Sequence, residues 1–406
     1  MRRTAALLVM VAISFGAIVL DPAYILDAPE DRGWFGWSMA SLDLDGDHID
    51  ELCIGAPLTR GPDGVSYQGG VYIYRGGDLE SDPILVIRGF ADSEQLGISM
   101  DNVGDVNGDG RDDLLVGANV TSSIGRAYLF TGSDDFDGTY HIYTTGERHV
   151  DNYGYSVTGV GDINGDSFDD WVVGALYNDE RGSRTGKAYL YLGGSEPDTL
   201  PWLEFTGRDS LDDFATHLDG GMDFNGDNWP DLLVGAVQAG SYWINPGEAM
   251  LFYGGPDMDT TLDVFTHGED PMDFYGGAAS FLGDINNDGY ADFAAGSYNN
   301  STAAEDAGRA YIFMGRPDHD GNPDYIISGN EDDNIAGTIS DLGDIDGDGY
   351  DDFGISTDHP PTHPDSGMGA ILIYRGGPEV DTVPDFFTVG EYPSDVYGWE
   401  VTKLGD

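Results

Sequence analysis

The sequence predicts an all-β fold built from repeated four-stranded units, a β-propeller. Three observations lead there. A repeat of about sixty residues runs through most of the 406-residue chain, every copy carries an acidic nine-residue loop, and short apolar runs rich in Val, Ile, Tyr and Phe surround each loop. Runs of that length bounded by Gly, Asp, Asn and Pro have strand chemistry, and no helical periodicity is long enough to compete. Four short strands per repeat make one propeller blade. A right-handed parallel β-helix fits less well, because its repeats are shorter and one strand direction dominates.

In chain order, Met1-Arg2-Arg3 is a short basic segment followed by an uncharged apolar run, Ala5–Leu20. That length suits a signal peptide better than a membrane span. Residues 1–22 therefore read as a signal peptide or signal anchor, and 23–406 as the propeller of an exported protein. Each repeat opens on an aromatic-glycine pair or a variant of it: Phe35-Gly36, Leu96-Gly97, Tyr153-Gly154, Phe214-Ala215, Tyr275-Gly276, Ala336-Gly337 and Tyr397-Gly398. The acidic loop follows, then an apolar run ending in small residues, as in Leu52–Pro57 and Leu114–Ala118. A third run such as Gly125–Gly132 and a fourth such as Leu85–Arg88 complete the unit. Glycines around these runs allow left-handed turns and close approach of neighbouring backbones.

The loops carry the chemistry. Oxygen side chains recur at positions 1, 3, 5 and 9. In order these are Asp43, Asp45, Asp47 and Glu51; Asp105, Asn107, Asp109 and Asp113; Asp162, Asn164, Asp166 and Asp170; Asp223, Asn225, Asp227 and Asp231; Asp284, Asn286, Asp288 and Asp292; and Asp344, Asp346, Asp348 and Asp352. A seventh copy begins at Asp406, the last residue. Alternate residues of a tight loop turn to one side, and a backbone carbonyl at position 7 can join them in an oxygen cage suited to Ca²⁺. Without a cation, converging carboxylates repel and their pKa values rise. A single copy could be a solvated Asx-turn; six in the same context point to about six Ca²⁺ sites. The pattern is not an EF-hand, since position 9 ends the loop and a strand, not a helix, follows.

Composition sets limits. With 74 acidic against 17 basic residues the net charge is −57, which excludes non-specific phosphate binding to nucleic acid and disfavours a basic membrane patch. Cys53 is alone, so no internal disulfide exists.

An aromatic-glycine pair, then D-x-[DN]-x-D-x-x-x-D, then a Gly-Ala-Pro-like end resembles the FG-GAP repeat of integrin α-subunit N-terminal propellers. The resemblance covers about residues 23–406, most closely in the manner of bacterial secreted versions. It implies a seven-bladed propeller with Ca²⁺ in the loops between first and second strands. On that reading six blades are complete and a seventh is truncated, with Ala23–Asp27 as the fourth strand of the closing blade.

Catalytic signals are thin. Cys53 sits in an apolar run, where a buried structural thiol is expected. His359 and His363, flanked by Asp358 and Asp365, fit a solvated turn better than a metal site. No catalytic residues are assigned, and the chain reads as non-enzymatic. Variable loops between second and third strands carry Tyr67, Tyr177, Tyr242, Trp243 and Tyr298, where recognition of a partner would sit. The expected function is a secreted or cell-surface calcium-dependent adhesion module for an extracellular protein or polysaccharide. The alternative is the non-catalytic propeller of a larger secreted enzyme, a polysaccharide lyase or phosphodiesterase, whose catalytic domain lies elsewhere.

Overall fold

In the computed structural model, residues 7–9, 24–26, 33–61, 64, 67–79, 82–119, 124–237, 246–359, 368–390 and 399–403 are described. Among them, six four-stranded antiparallel sheets span 39–88, 96–145, 153–206, 214–267, 275–328 and 339–389, each with its strands in sequence order. These are the blades. The first strands of successive blades touch one another and so line the centre, while the fourth strands lie outermost. Burial follows that order. The second strand is fully buried in every blade, as in Asp170–Ala175, whereas the fourth alternates, as in Ile142–Thr145. Alternation of that kind marks a strand with one face in water.

The core lies in the seams between blades. Leu42, Cys53 and Ile73 of blade one meet Leu114, Val116 and Phe130 of blade two, and comparable clusters fill the next four seams. The glycine that follows the second-strand apolar run is what lets the sheets close. A Cβ at Gly117 would lie 2.1 Å from the Gly154 carbonyl of the next blade, and one at Gly235 would lie 2.0 Å from that of Gly276. Tyr and Phe rings of the motif are buried in these seams, Tyr153 and Tyr275 among them.

The expectation of seven blades is corrected to six sheets. At the seventh position the structure offers only 399–403, which lies along the first strand of blade six: Thr338 Oγ1 donates to the Trp399 carbonyl and Ser340 Oγ to that of Val401. Trp399 also stacks against Trp37 of blade one, with ring centroids 4.8 Å apart. One inner segment thus spans the gap between blades six and one. The truncated seventh blade beyond it rests on Tyr397-Gly398 and Asp406, which lie outside the described residues. Tyr24–Leu26 is a strand, but its partner is Leu7–Val9 and not a closing blade. Leu26 packs onto blade one beside Phe35 and Tyr72. In repeat six the motif is also displaced by one residue. Ile335 bridges to Gly308 and Ala336 takes the left-handed backbone, so the pair is Ile335-Ala336 and not Ala336-Gly337.

Candidate metal loops and the opposite face

The six acidic loops connect first to second strands and fold alike. The position-1 aspartate organises each turn. Asp105 Oδ1 accepts the N–H groups of Gly108 and Asp109 at 2.7 and 2.9 Å, and its Oδ2 that of Gly110 at 2.7 Å. Asp43, Asp162, Asp223 and Asp344 each do the same for three backbone donors. The position-5 aspartate then accepts from the position-7 N–H, as Asp166 does from Phe168. Position 6 is left-handed in every loop, including His48, Ser167 and Asn228, where no glycine relieves it.

Position 9 is buried throughout. Asp170 Oδ2 accepts from Ile163 N at 3.1 Å and its Oδ1 from Gly193 N at 2.8 Å, tying the loop to the end of the third strand. Asp113, Asp231, Asp292 and Asp352 repeat this pair of bonds. Burial pushes these carboxyls up, to about 7 for Asp113, Asp170, Asp231 and Asp352 and about 8 for Asp292, with nearby loop acids adding to the rise. Glu51 also rises to about 7 through burial and Asp45. Its longer side chain places Oε2 on Leu44 N at 3.2 Å and leaves Oε1 buried without a well-formed hydrogen bond, although the Gly76 N–H lowers the carboxyl's pKa more than that of Leu44 does.

Position 3 divides the loops. Asp43, Asp45 and Glu51 bring carboxylate oxygens within 4.8 Å of one another, and so do Asp344, Asp346 and Asp348. In loops three, four and five the residue is asparagine, and its amide nitrogen donates to the position-5 aspartate, as Asn164 Nδ2 does to Asp166 at 3.0 Å. Those loops partly neutralise their own repulsion.

Two features of the loops escaped the sequence reading. The position-8 carboxylate links neighbours: Asp112 accepts the N–H of Asp43, Asp169 that of Asp105 and Asp351 that of Asp284. The position-7 side chain lies over the position-4 glycine of the preceding loop, so that a Cβ at Gly165 would meet the Trp229 ring at 2.4 Å and one at Gly226 the Tyr290 ring at 2.2 Å. The recurrence of acid at position 8 and of bulk at position 7 is the trace these contacts leave in the sequence.

A third acidic group, Glu147, Glu180 and Glu204, is already neutralised. Lys187 Nζ sits 2.8, 2.9 and 2.7 Å from one oxygen of each. Cys53 is a fully buried thiol whose pKa burial raises. His359 Nδ1 meets the Asp332 carbonyl, and His363 and Asp365 lie outside the described residues.

Of the loop aromatics, Tyr67 is exposed, and Tyr177 is covered by the Arg184 guanidinium 4.4 Å from its ring centroid. Tyr298 donates to Asp358 Oδ2 at 2.6 Å, while Tyr242 and Trp243 lie outside the described residues. The adjacent Asn178 and Asn300 are buried pins, bonded to Asp151 and Asp273. Strand direction puts these loops at the end opposite the acidic ones. Among the described residues no helix is long and apolar enough to cross a membrane.

Residues 35–74, 101–130 and 276–313 match the FG-GAP repeat family. Integrin alpha-PS2 of Drosophila melanogaster is 32% identical over 53% of this chain and 16% of its own length. Integrin alpha-5 of Xenopus laevis is 25% identical over 62% of this chain and 24% of its own. The chain thus spans a quarter or less of these relatives. A solved structure described as BBS1N in complex with ARL6DN covers 89% of this chain and 86% of its own at a TM-score of 0.52 and 11% identity, a likeness of fold alone.

Proposed function

This chain is an FG-GAP repeat protein of the integrin α N-terminal-like kind, and we propose that it is a secreted or cell-surface calcium-binding interaction module. Its loop face would hold Ca²⁺, and its opposite face would meet an extracellular protein or polysaccharide. The observation that carries this reading is repetition: six loops with one hydrogen-bonding plan present oxygen side chains at the same four positions. Loop one fits a cation best. Glu51 Oε1 is buried without a well-formed hydrogen bond, and the Glu51 carboxylate lies with Asp43 and Asp45 inside 4.8 Å, a hard anionic oxygen set of the kind Ca²⁺ prefers. Loop six offers Asp344, Asp346 and Asp348 in a similar cluster, with Asp352 behind them, and loops two to five offer their residues at positions 1, 3, 5 and 9.

A bound ion would supply the charge that lets these carboxylates stay ionised side by side. The protein's own part is to hold them there, through three backbone donors on position 1 in every loop but the fifth, where Asp284 has two, and two on position 9 in every loop but the first. The domain is read as non-catalytic, with Tyr67 and Tyr298 the described loop aromatics available to a partner.

Thermal melting in millimolar Ca²⁺ and in EGTA tests the reading. Each site held at a hundred times its Kd stabilises by about 2.7 kcal/mol, so several sites together raise Tm by at least about 10 °C. An unchanged Tm sinks the calcium reading.

A further inference from the structure

Around the upper rim of the central ring, the residue after each left-handed motif position is Trp37, Ile98, Tyr155, Thr216, Gly277 and Gly337 in blades one to six. Trp399 holds the matching place in the next segment. The rim is therefore lopsided, bulky on one side and bare on the other. Above the two glycines lies a cavity of about 560 Å³. The glycines are its floor: a Cβ at Gly277 would stand 3.0 Å from Val237 Cγ2, and one at Gly337 would stand 3.1 Å from the Tyr298 ring. Neither has a left-handed backbone, so it is these close contacts, and not backbone strain, that a side chain there would have to overcome.

The walls are Phe274, Tyr298 and Trp399 on the apolar side and Thr338, Asp358 and His359 on the polar side. Asp358 Oδ2 takes the Tyr298 hydroxyl and, at 3.4 Å, the Asn334 amide, while Oδ1 has no hydrogen bond among the described residues. His359 Nδ1 is spent on the Asp332 carbonyl, which leaves Nε2 as an acceptor. From the mouth a row of three tryptophans leads away, an aromatic track: Trp399 packs at a tilt on Trp37 at 4.8 Å and Trp37 stacks on Trp34 at 4.6 Å, so Trp37 is covered on both sides while Trp399 and Trp34 are each half-exposed.

We propose that this cavity and its tryptophan track bind a neutral glycan chain, one sugar ring seated over Gly277 and Gly337 and the next rings against the exposed sides of Trp399 and Trp34. A pyranose presents a face of C–H groups to an aromatic ring and hydroxyl donors at its edge, which a free carboxylate oxygen and an imidazole acceptor satisfy. The volume suits a ligand of one or two rings. Among the described residues no Lys or Arg lines the cavity, and a net charge of −57 repels uronic or sulfated chains, so the glycan is neutral. An ammonium group would need less space than this and would leave the track unused. The proposal deepens the polysaccharide arm of the interaction reading above and rests on it.

The test is calorimetric titration of the full chain with cellohexaose, maltohexaose, mannohexaose and xylohexaose, with polygalacturonate and an arginine-rich peptide as charged controls. One neutral hexaose is expected to bind, at least tenfold more weakly to Gly337→Tyr and to Asp358→Ala, with the calcium response unchanged and a cooperative melt kept in both, at a Tm lowered by a few degrees through crowding of Tyr298 in the first and loss of its acceptor in the second. Gly277→Thr, which copies blade four, should weaken binding in the same direction. Trp34→Ala should weaken the hexaose and leave the disaccharide unaffected. Binding of the peptide alone, binding of none of the hexaoses, or hexaose binding that survives Gly337→Tyr overturns the proposal. Because calcium response is read on the same samples, its loss with glycan binding intact would count against the calcium reading and not against this one.

Discussion

Blade three has a neighbour on each side, and among the described residues blade six is followed by the short segment 399–403. In blade three, a Cβ at Gly174 would run into Ser156 Oγ at 2.2 Å and the Ala215 carbonyl at 2.9 Å, whereas blade six carries a side chain, Ser356, at the same register position. Gly165 lies under Trp229 of the next loop, while Gly347, at the same loop position, meets nothing within 4 Å. Asn164 pairs its amide with Asp166, while Asp346 crowds Asp344 and Asp348. The two blades share a sequence pattern yet use it differently. Where a neighbour follows, small residues serve packing. In blade six a serine stands in place of that glycine, and the loop is more acidic.

The largest effect should be at the seam. Gly174→Ala is expected to cost about 3 kcal/mol through overpacking against Ser156 and the next blade's Ala215, and Ser356→Ala, at the same register position, no more than about 1. Urea unfolding of both variants checks this, and equal losses would mean that blade six is packed as blade three is. Next, Gly165→Ala and Gly347→Ala both place a side chain at φ near +80°, 81° and 77° respectively. That strain alone costs about 1–2 kcal/mol, and the Trp229 ring should add at least about 1 more at Gly165. Melting curves of the two variants, and of Gly165→Ala in a Trp229→Ala background, separate strain from contact.

Smaller effects come from exchanging the third loop position. In EGTA, Asn164→Asp should destabilise by about 0.5–1 kcal/mol through a new like-charge contact, and Asp346→Asn should stabilise by less, because the repulsion it relieves is partly offset by loss of the ion pair with Arg375 Nε at 3.2 Å. In calcium the signs should reverse. Smallest of all, Ser167→Gly relieves a left-handed residue at φ 75° and should stabilise by about 0.5–1 kcal/mol in calorimetry.

Much of this molecule was legible before the structure because each feature recurs. Alternating oxygens and strand-length apolar runs appear six times and the aromatic-glycine pair recurs with variants, so the four-stranded blades and the order of their strands followed from pattern alone, while the backbone bonds that Asp105 or Asp162 accepts did not. What else did not follow depends on a neighbour far along the chain. The role of Asp112, Asp169 and Asp351 is inter-blade, and nothing within one loop marks it. The shift to Ile335-Ala336 hid because repeat six keeps an Ala-Gly pair one residue on. Lys187 looked like a rarity in an acidic chain, and only folding brings Glu147, Glu180 and Glu204 around it. The rim cavity comes from two departures from the repeat, Gly277 and Gly337, which a search for recurrence discards.

The central claim is that the acidic loops are calcium sites graded by their third residue, since ligand charge tunes affinity. Calcium titration by isothermal calorimetry tests it most directly, comparing the chelator-stripped chain with the Asp45→Asn/Asp346→Asn variant. The account predicts about six bound ions in the parent, with the two tightest weakened at least tenfold in the variant and the others unchanged. Absence of stoichiometric calcium binding, or a variant whose two tightest sites are unaltered, would contradict it.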